Sequence, residues 1–216
     1  PGGNFLLPGE FIPTAEDIGL IYPLGEWVLE TALKQQMEWR QRGYPPIRIS
    51  VNISPLQFMQ NDFVQKISTL CEQAGADPSA LAIEITEETV MENVETTRTV
   101  FAQLKEIGVH LSVDHFGTGR FSLVYLKQFP IDTLKLNSVF VKNISTDKAD
   151  AAIASAIISM AHLLGMKVIA QGVERDEQRH ALLSIGCDAI QGYVVAPPLS
   201  AEDVAAFIQN VVVVDK

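Results

Sequence analysis

Asn52, Glu84, Asp114, Lys135, Gln171 and Gln191 each close a short apolar, β-branched run in this chain. Amide and carboxylate oxygens that converge suit a hard divalent cation such as Mg²⁺. A lysine beside them could hold a phosphate or orient a water. Residue types in this combination point to metal-assisted phosphodiester chemistry. One polar residue at a strand end is often only a cap or turn former, but six in succession argue for a shared site. The most explicit stretch is Leu111–Gly119, in which Leu111-Ser112-Val113 delivers Asp114 and His115. Gly117 and Gly119 then flank Thr118 in a tight loop able to approach a ligand closely.

The elements that must position these residues alternate along the chain. Residues up to Gly9 read as loop, and Phe11–Asp17 as a helix start capped by Thr14. An amphipathic helix spans Leu24–Arg42 and stops at Gly43 and Pro45-Pro46. Six strand–helix units follow. The strands are Ile47–Ile53, Leu81–Ile85, Val109–Val113, Thr133–Leu136, Lys167–Ala170 and Ala189–Val194. The helices are Asp62–Ala74, Val94–Ile107, Phe121–Gln128, Lys148–Leu164, Glu177–Ile185 and Ala201–Gln209. Such repetition indicates an α/β fold with a parallel sheet and helices outside it. No GxGxxG or GxxxxGK follows the first strand, which argues against a doubly wound nucleotide fold. Polar residues at every strand end favour a (β/α)₈ barrel, with the first two strands expected upstream of Pro1. The Val211–Val214 run reads as a packed tail.

At 216 residues the chain suits one domain, 1–216, with a sizeable core. A formal charge of −10 argues against DNA or RNA as partners, which require a basic face. It leaves room for a small anion held by local donors. No run is apolar enough for a membrane span. Cys71 and Cys187, far apart in apolar surroundings, read as reduced buried thiols of a cytoplasmic protein. His110, His162 and His180 show no ligand-like spacing, and Trp27 and Trp39 read as packing residues of one helix.

The chain resembles the EAL domains, whose active members hydrolyse the bacterial messenger cyclic di-GMP to a linear dinucleotide. The resemblance rests on Phe11-Ile12-Pro13-Thr14-Ala15-Glu16, Leu24-Gly25-Glu26-Trp27-Val28-Leu29 and Val51-Asn52-Ile53-Ser54. It continues through Glu84-Ile85-Thr86-Glu87, Asp114–Gly119, Phe129–Lys135, Ala170–Glu174 and Gly186–Tyr193. It implies a modified TIM (β/α)₈ barrel. It also implies that Asn52, Glu84 and Asp114 stand at metal-ligand positions for Mg or Mn, with Lys135 and Gln191 beside the attacking water. Glu87 would steady the loop Phe116–Gly119, and homodimerisation would use the face near that loop. Cyclic di-GMP would contact Asn52, Asp114, Lys135, Gly117, Thr118, Gly119 and Gln191.

Departures from the family pattern shape the functional expectation. His115 replaces the second acid of an Asp-Asp pair, Asn137 replaces an Asp, and Gln171 replaces a Glu at a catalytic position. The Glu-Ala-Leu signature and its nearby arginine would lie just before Pro1. Each substitution removes a negative charge from a site that holds two divalent ions in active members. Imidazole at His115 prefers borderline metals to Mg²⁺. The expectation is a degenerate EAL domain that binds cyclic di-GMP as a receptor, with metal absent or weakly bound. The chain would then be the C-terminal part of a multidomain bacterial signalling protein, with no direct membrane contact of its own. Two alternatives are an active phosphodiesterase and an interaction domain that binds no nucleotide.

Overall fold

In the computed structural model, residues 6–119 and 123–212 are described. Six strands, β1 Ile49–Asn52, β2 Leu81–Thr86, β3 His110–Phe116, β4 Thr133–Leu136, β5 Lys167–Gln171 and β6 Ala189–Gln191, form one parallel sheet in sequential order. Consecutive order in a parallel sheet requires every crossover to turn the same way, so the sheet curls as part of a barrel. The crossovers carry the helices Phe63–Ala74, Val94–Glu106, Lys148–Leu163 and Asp176–Ser184. They also carry the shorter helices Pro55–Phe58, Glu87–Glu92, Leu123–Leu126 and Ser138–Val141, of which only the third was expected. That helix was expected from Phe121, but residues 121 and 122, like 1–5 and the last two valines of Val211–Val214, lie outside the described residues.

Alternation along the strands divides the sheet into two faces with different work to do. Ile83, Ile85, Leu111, Val113, Leu134, Leu136, Val168 and Ala170 are all at most 1% exposed. They pack with Phe101, Leu104, Ile158 and Leu182 of the surrounding helices in one continuous core. Residues between them turn to the concave face. There Glu84 is in register with Ser112, Ser112 with Thr133, and Thr86 with Asp114. The apolar face therefore fixes where each strand lies, and the polar face is free to carry chemistry.

Three expectations about local structure require correction. A helix, α1 Pro8–Asp17, begins before the expected loop ends, and Thr14 lies inside it. Pro8 needs no N–H partner at a first helical position, and the Glu10 carboxylate accepts the Leu7 N–H at 2.7 Å. β6 stops at Gln191 instead of Val194. Its continuation folds against the exit of β5, where Val173 N–H donates to Gln191 O at 3.1 Å and Val194 N–H donates to Val173 O at 3.0 Å. Trp39 is buried in helix α2 Ile21–Gln41, as expected of a packing residue, but Trp27 of the same helix is 61% exposed.

Candidate functional site

Lys135 lies at the centre of the concave face. Its Nζ is 2.6 Å from Glu84 Oε2 and 3.9 Å from Asp114 Oδ1. All three side chains are almost wholly buried. An ion pair removed from water in this way must recover a large desolvation cost through tight geometry, and the 2.6 Å contact supplies it. Asn52 is in register with Glu84 at the tip of β1. Gln171 and Gln191 are in register with each other at the tips of β5 and β6, and β5 is next to the strand that carries Lys135.

The position of Asp114 depends on a bulge. Val113 pairs with Leu134 and Phe116 with Leu136, so Asp114 and His115 together oppose the single residue Lys135. His115 absorbs the extra residue with φ +56°, the one positive φ among the described non-glycine residues. A left-handed conformation costs a residue with a Cβ roughly 1–2 kcal/mol. The neighbouring carboxylate helps to hold it. Asp114 Oδ1 accepts the His115 N–H at 3.0 Å, and His115 Nδ1 stands 3.2 Å from Asp114 Oδ2. The imidazole itself is more than half exposed at the rim.

The loop beyond the bulge is anchored from a second element. Buried Glu87, the first residue of the helix Glu87–Glu92, accepts N–H bonds from Gly117 at 2.9 Å and Gly119 at 3.3 Å. A Cβ at Gly119 would lie 2.6 Å from Glu87 Oε1, so glycine is what lets this carboxylate reach the loop. Glu87 thus anchors the loop Phe116–Gly119, and the Thr118 hydroxyl donates to His115 O at 3.1 Å. His115, Thr118, Gly119 and Asn137 line a pocket of about 240 Å³. A larger cavity of about 740 Å³ lies between the sheet edge and α1–α2, where Asn52, Thr86, Asp114 and His115 face Trp27. Trp27 therefore has an open face towards the site, contrary to the packing role expected of it. Thr86, Ser112 and Thr133 were not singled out from the sequence. The signal for them was their two-residue spacing from Glu84, Asp114 and Lys135 along the strands.

The donor set can be weighed against a metal pair. Among the described residues, no three His, Cys, Asp or Glu side chains converge as a metal-binding group. Glu84, Asp114 and Lys135 together carry one net negative charge, and Lys135 Nζ already occupies the near side of Glu84. Two divalent ions would bring four positive charges to this site. The described residues do not fit such a pair.

A family model described as "EAL domain" matches residues 1–198. The chain belongs to the EAL domain family. It is 38% identical over 96% of its length to the "Bifunctional diguanylate cyclase/cyclic di-GMP phosphodiesterase MucR" of Pseudomonas aeruginosa, of which it spans 30%. The solved structure "PaMucR Phosphodiesterase, c-di-GMP complex" superposes with a TM-score of 0.91, covering 94% of this chain and 83% of that one at 38% identity. A Klebsiella pneumoniae protein, "BlrP1 pH 9.0 manganese/cy-diGMP complex", matches with a TM-score of 0.75 and 26% identity over 82% of this chain and 45% of that one. The chain spans about a third or less of the length of the curated relatives it matches, MucR and the Bacillus subtilis "Signaling protein YkoW" among them. Among the described residues, no helix is long and apolar enough to cross a membrane.

Proposed function

We propose that this EAL domain binds cyclic di-GMP as a receptor module and hydrolyses it slowly or not at all. The observation that carries the reading is the depleted acid set. Glu84 and Asp114 are the two carboxylates on the concave face beside Lys135, His115 occupies the second position of the bulge, and Gln171 and Asn137 are neutral. Without a metal pair, neither the attacking water nor the developing charge on phosphorus is stabilised as in a two-metal site. Each 1.4 kcal/mol of lost stabilisation is about tenfold in rate.

The loop beside the site is held by a carboxylate outside that acid set. Glu87 holds Gly117 and Gly119 through its own hydrogen bonds, and the cavity beside Asn52 and Asp114 is walled by helices. Within the bound state, Lys135 grips a phosphate. Asn52, Asp114, Gly117, Thr118, Gly119 and Gln191 surround the nucleotide, and the face near the loop Phe116–Gly119 serves a homodimer. Residues 1–216 act as one domain of a larger signalling protein.

Calorimetry with cyclic di-GMP and a turnover assay in Mg²⁺ or Mn²⁺ test the reading on the same sample. Saturable binding without release of linear dinucleotide is expected. The combined substitutions His115→Asp, Asn137→Asp and Gln171→Glu should raise turnover in Mn²⁺. Sustained hydrolysis by the unaltered chain would overturn the loss of activity. Absence of binding up to high micromolar nucleotide would overturn the receptor role and leave the interaction domain.

A further inference from the structure

At the opposite end of the sheet, a cavity of about 480 Å³ opens beside the N-terminal ends of β1 and β2. Its size falls in the range typical of small-molecule sites. Gln36 and Arg40, one turn apart on α2, line it together with Tyr44, Arg48, Asp77 and Ser79. Gln36 is only 5% exposed, and its Oε1 is fully buried with no hydrogen-bond partner. A buried carbonyl left unpaired in this way costs folding free energy unless something else satisfies it. The cavity that Gln36 lines is where a partner could sit.

The other lining groups restrict what that partner is. Neither Arg40 nor Arg48 forms an ion pair among the described residues, although the chain carries a net charge of −10. Arg48 uses Nε on Ser79 O at 3.0 Å, which fixes the guanidinium at the cavity wall and leaves its terminal nitrogens to a ligand. Two guanidinium groups at one cavity suit an oxyanion, and phosphate above all. Asp77 accepts the Ser79 N–H at 2.9 Å. Hydrogen bonds from Ser79, aided by Arg40, hold its carboxyl below the usual carboxylate range. This second acceptor, unlike Gln36, is ionised; it would repel a bare anion but would welcome a hydroxyl donor.

We infer that this cavity is a second ligand site, separate from the cyclic di-GMP site, that takes a small sugar phosphate. The phosphate lies against Arg40 and Arg48, and sugar hydroxyls donate to Gln36 Oε1 and Asp77. Acceptors and guanidinium groups at a single cavity match a molecule with an anionic end and a polyhydroxyl end.

Ribose 5-phosphate and inorganic phosphate are the probes, followed by calorimetry and by the Gln36 side-chain amide resonance. Ribose 5-phosphate should bind saturably and shift that resonance. It should bind about tenfold more tightly than phosphate, since a sugar hydroxyl gains the otherwise unpaired Gln36 acceptor. Arg40→Ala with Arg48→Ala should abolish binding while the unfolding temperature holds, both side chains being exposed. Gln36→Leu keeps the volume and should erase the preference for ribose 5-phosphate over phosphate. Saturating cyclic di-GMP should leave the affinity unchanged, so failure here is distinguishable from failure of the receptor reading. No saturable binding, equal binding by the double arginine variant, or displacement by cyclic di-GMP would each overturn the site.

Discussion

Replacing Lys135 by Met keeps the stem volume and removes the ammonium from between two carboxylates. Glu84 then stays buried without its 2.6 Å partner, and Asp114 loses the compensating charge 3.9 Å away. Breaking a buried ion pair from one side costs about 3–5 kcal/mol, because the remaining charge has left water for nothing. For a chain of this size 1 kcal/mol is worth roughly 2–4 °C, so the expected fall in unfolding temperature is about 6–20 °C. Urea denaturation supplies the free energy directly. Glu84→Gln added to Lys135→Met removes the orphaned charge and should recover more than half of the loss. The double variant is the decisive comparison, since general damage to the core would make it worse than the single one. A loss of under about 1 kcal/mol for Lys135→Met would mean that the pair is solvated and not desolvated by its surroundings. A double variant less stable than the single one would refute the electrostatic account even if the first number came out as expected.

Two further outcomes follow from groups outside this pair. Glu87→Ala removes the acceptor of the Gly117 and Gly119 N–H bonds, each charge-assisted bond being worth about 1.5–3 kcal/mol. Amide exchange at those glycines should rise to that of an open loop while the β4 amides stay protected; unchanged exchange would show that the loop is held by something else. His110 is held below its ordinary pKa chiefly by burial, against the pull of Asp132. The unfolded chain therefore takes up a proton near pH 6.5 that the folded one declines. Stability is fully present above that pH and falls as the pH drops below it. His110→Gln, which removes the titrating ring, should flatten that part of the pH profile.

Much of this fold was legible because its two faces make independent demands on the sequence. Thr133–Leu136 has the bounds expected of it, since a run buried on both faces leaves little ambiguity about where the strand begins and ends. Glycines placed after the helices do end them: Gly75, Gly108, Gly165 and Gly186 all take positive φ. The convergence of Glu84, Asp114 and Lys135 was legible as polar residues at the ends of apolar runs. The bulge was not. Nothing in Val113-Asp114-His115-Phe116 signals a left-handed residue, because the register shift is set by pairing with Leu134 and Leu136 across the sheet. The start of α1 was hidden for a different reason: its cap is a carboxylate from inside the helix, Glu10, and no N-cap side chain precedes it.

The same division of faces bears on how a site of this kind can change its chemistry without losing its shape. Ile83, Ile85, Val113 and Leu134 hold the strands in place through the helices behind them, and none touches the concave side. An acid exchanged for an amide or an imidazole at positions 115, 137 or 171 therefore alters charge at the site while the core that sets strand positions is untouched. Asn137 illustrates this, since its side-chain oxygen caps the helix Ser138–Val141 by accepting the Val139 N–H at 2.9 Å. An aspartate would make the same bond, so either residue gives the same backbone. The loop that follows the bulge is fixed by Glu87, which belongs to neither the bulge nor the ion pair. Charge at the centre of the site and the geometry of the loop beside it are thus physically separable.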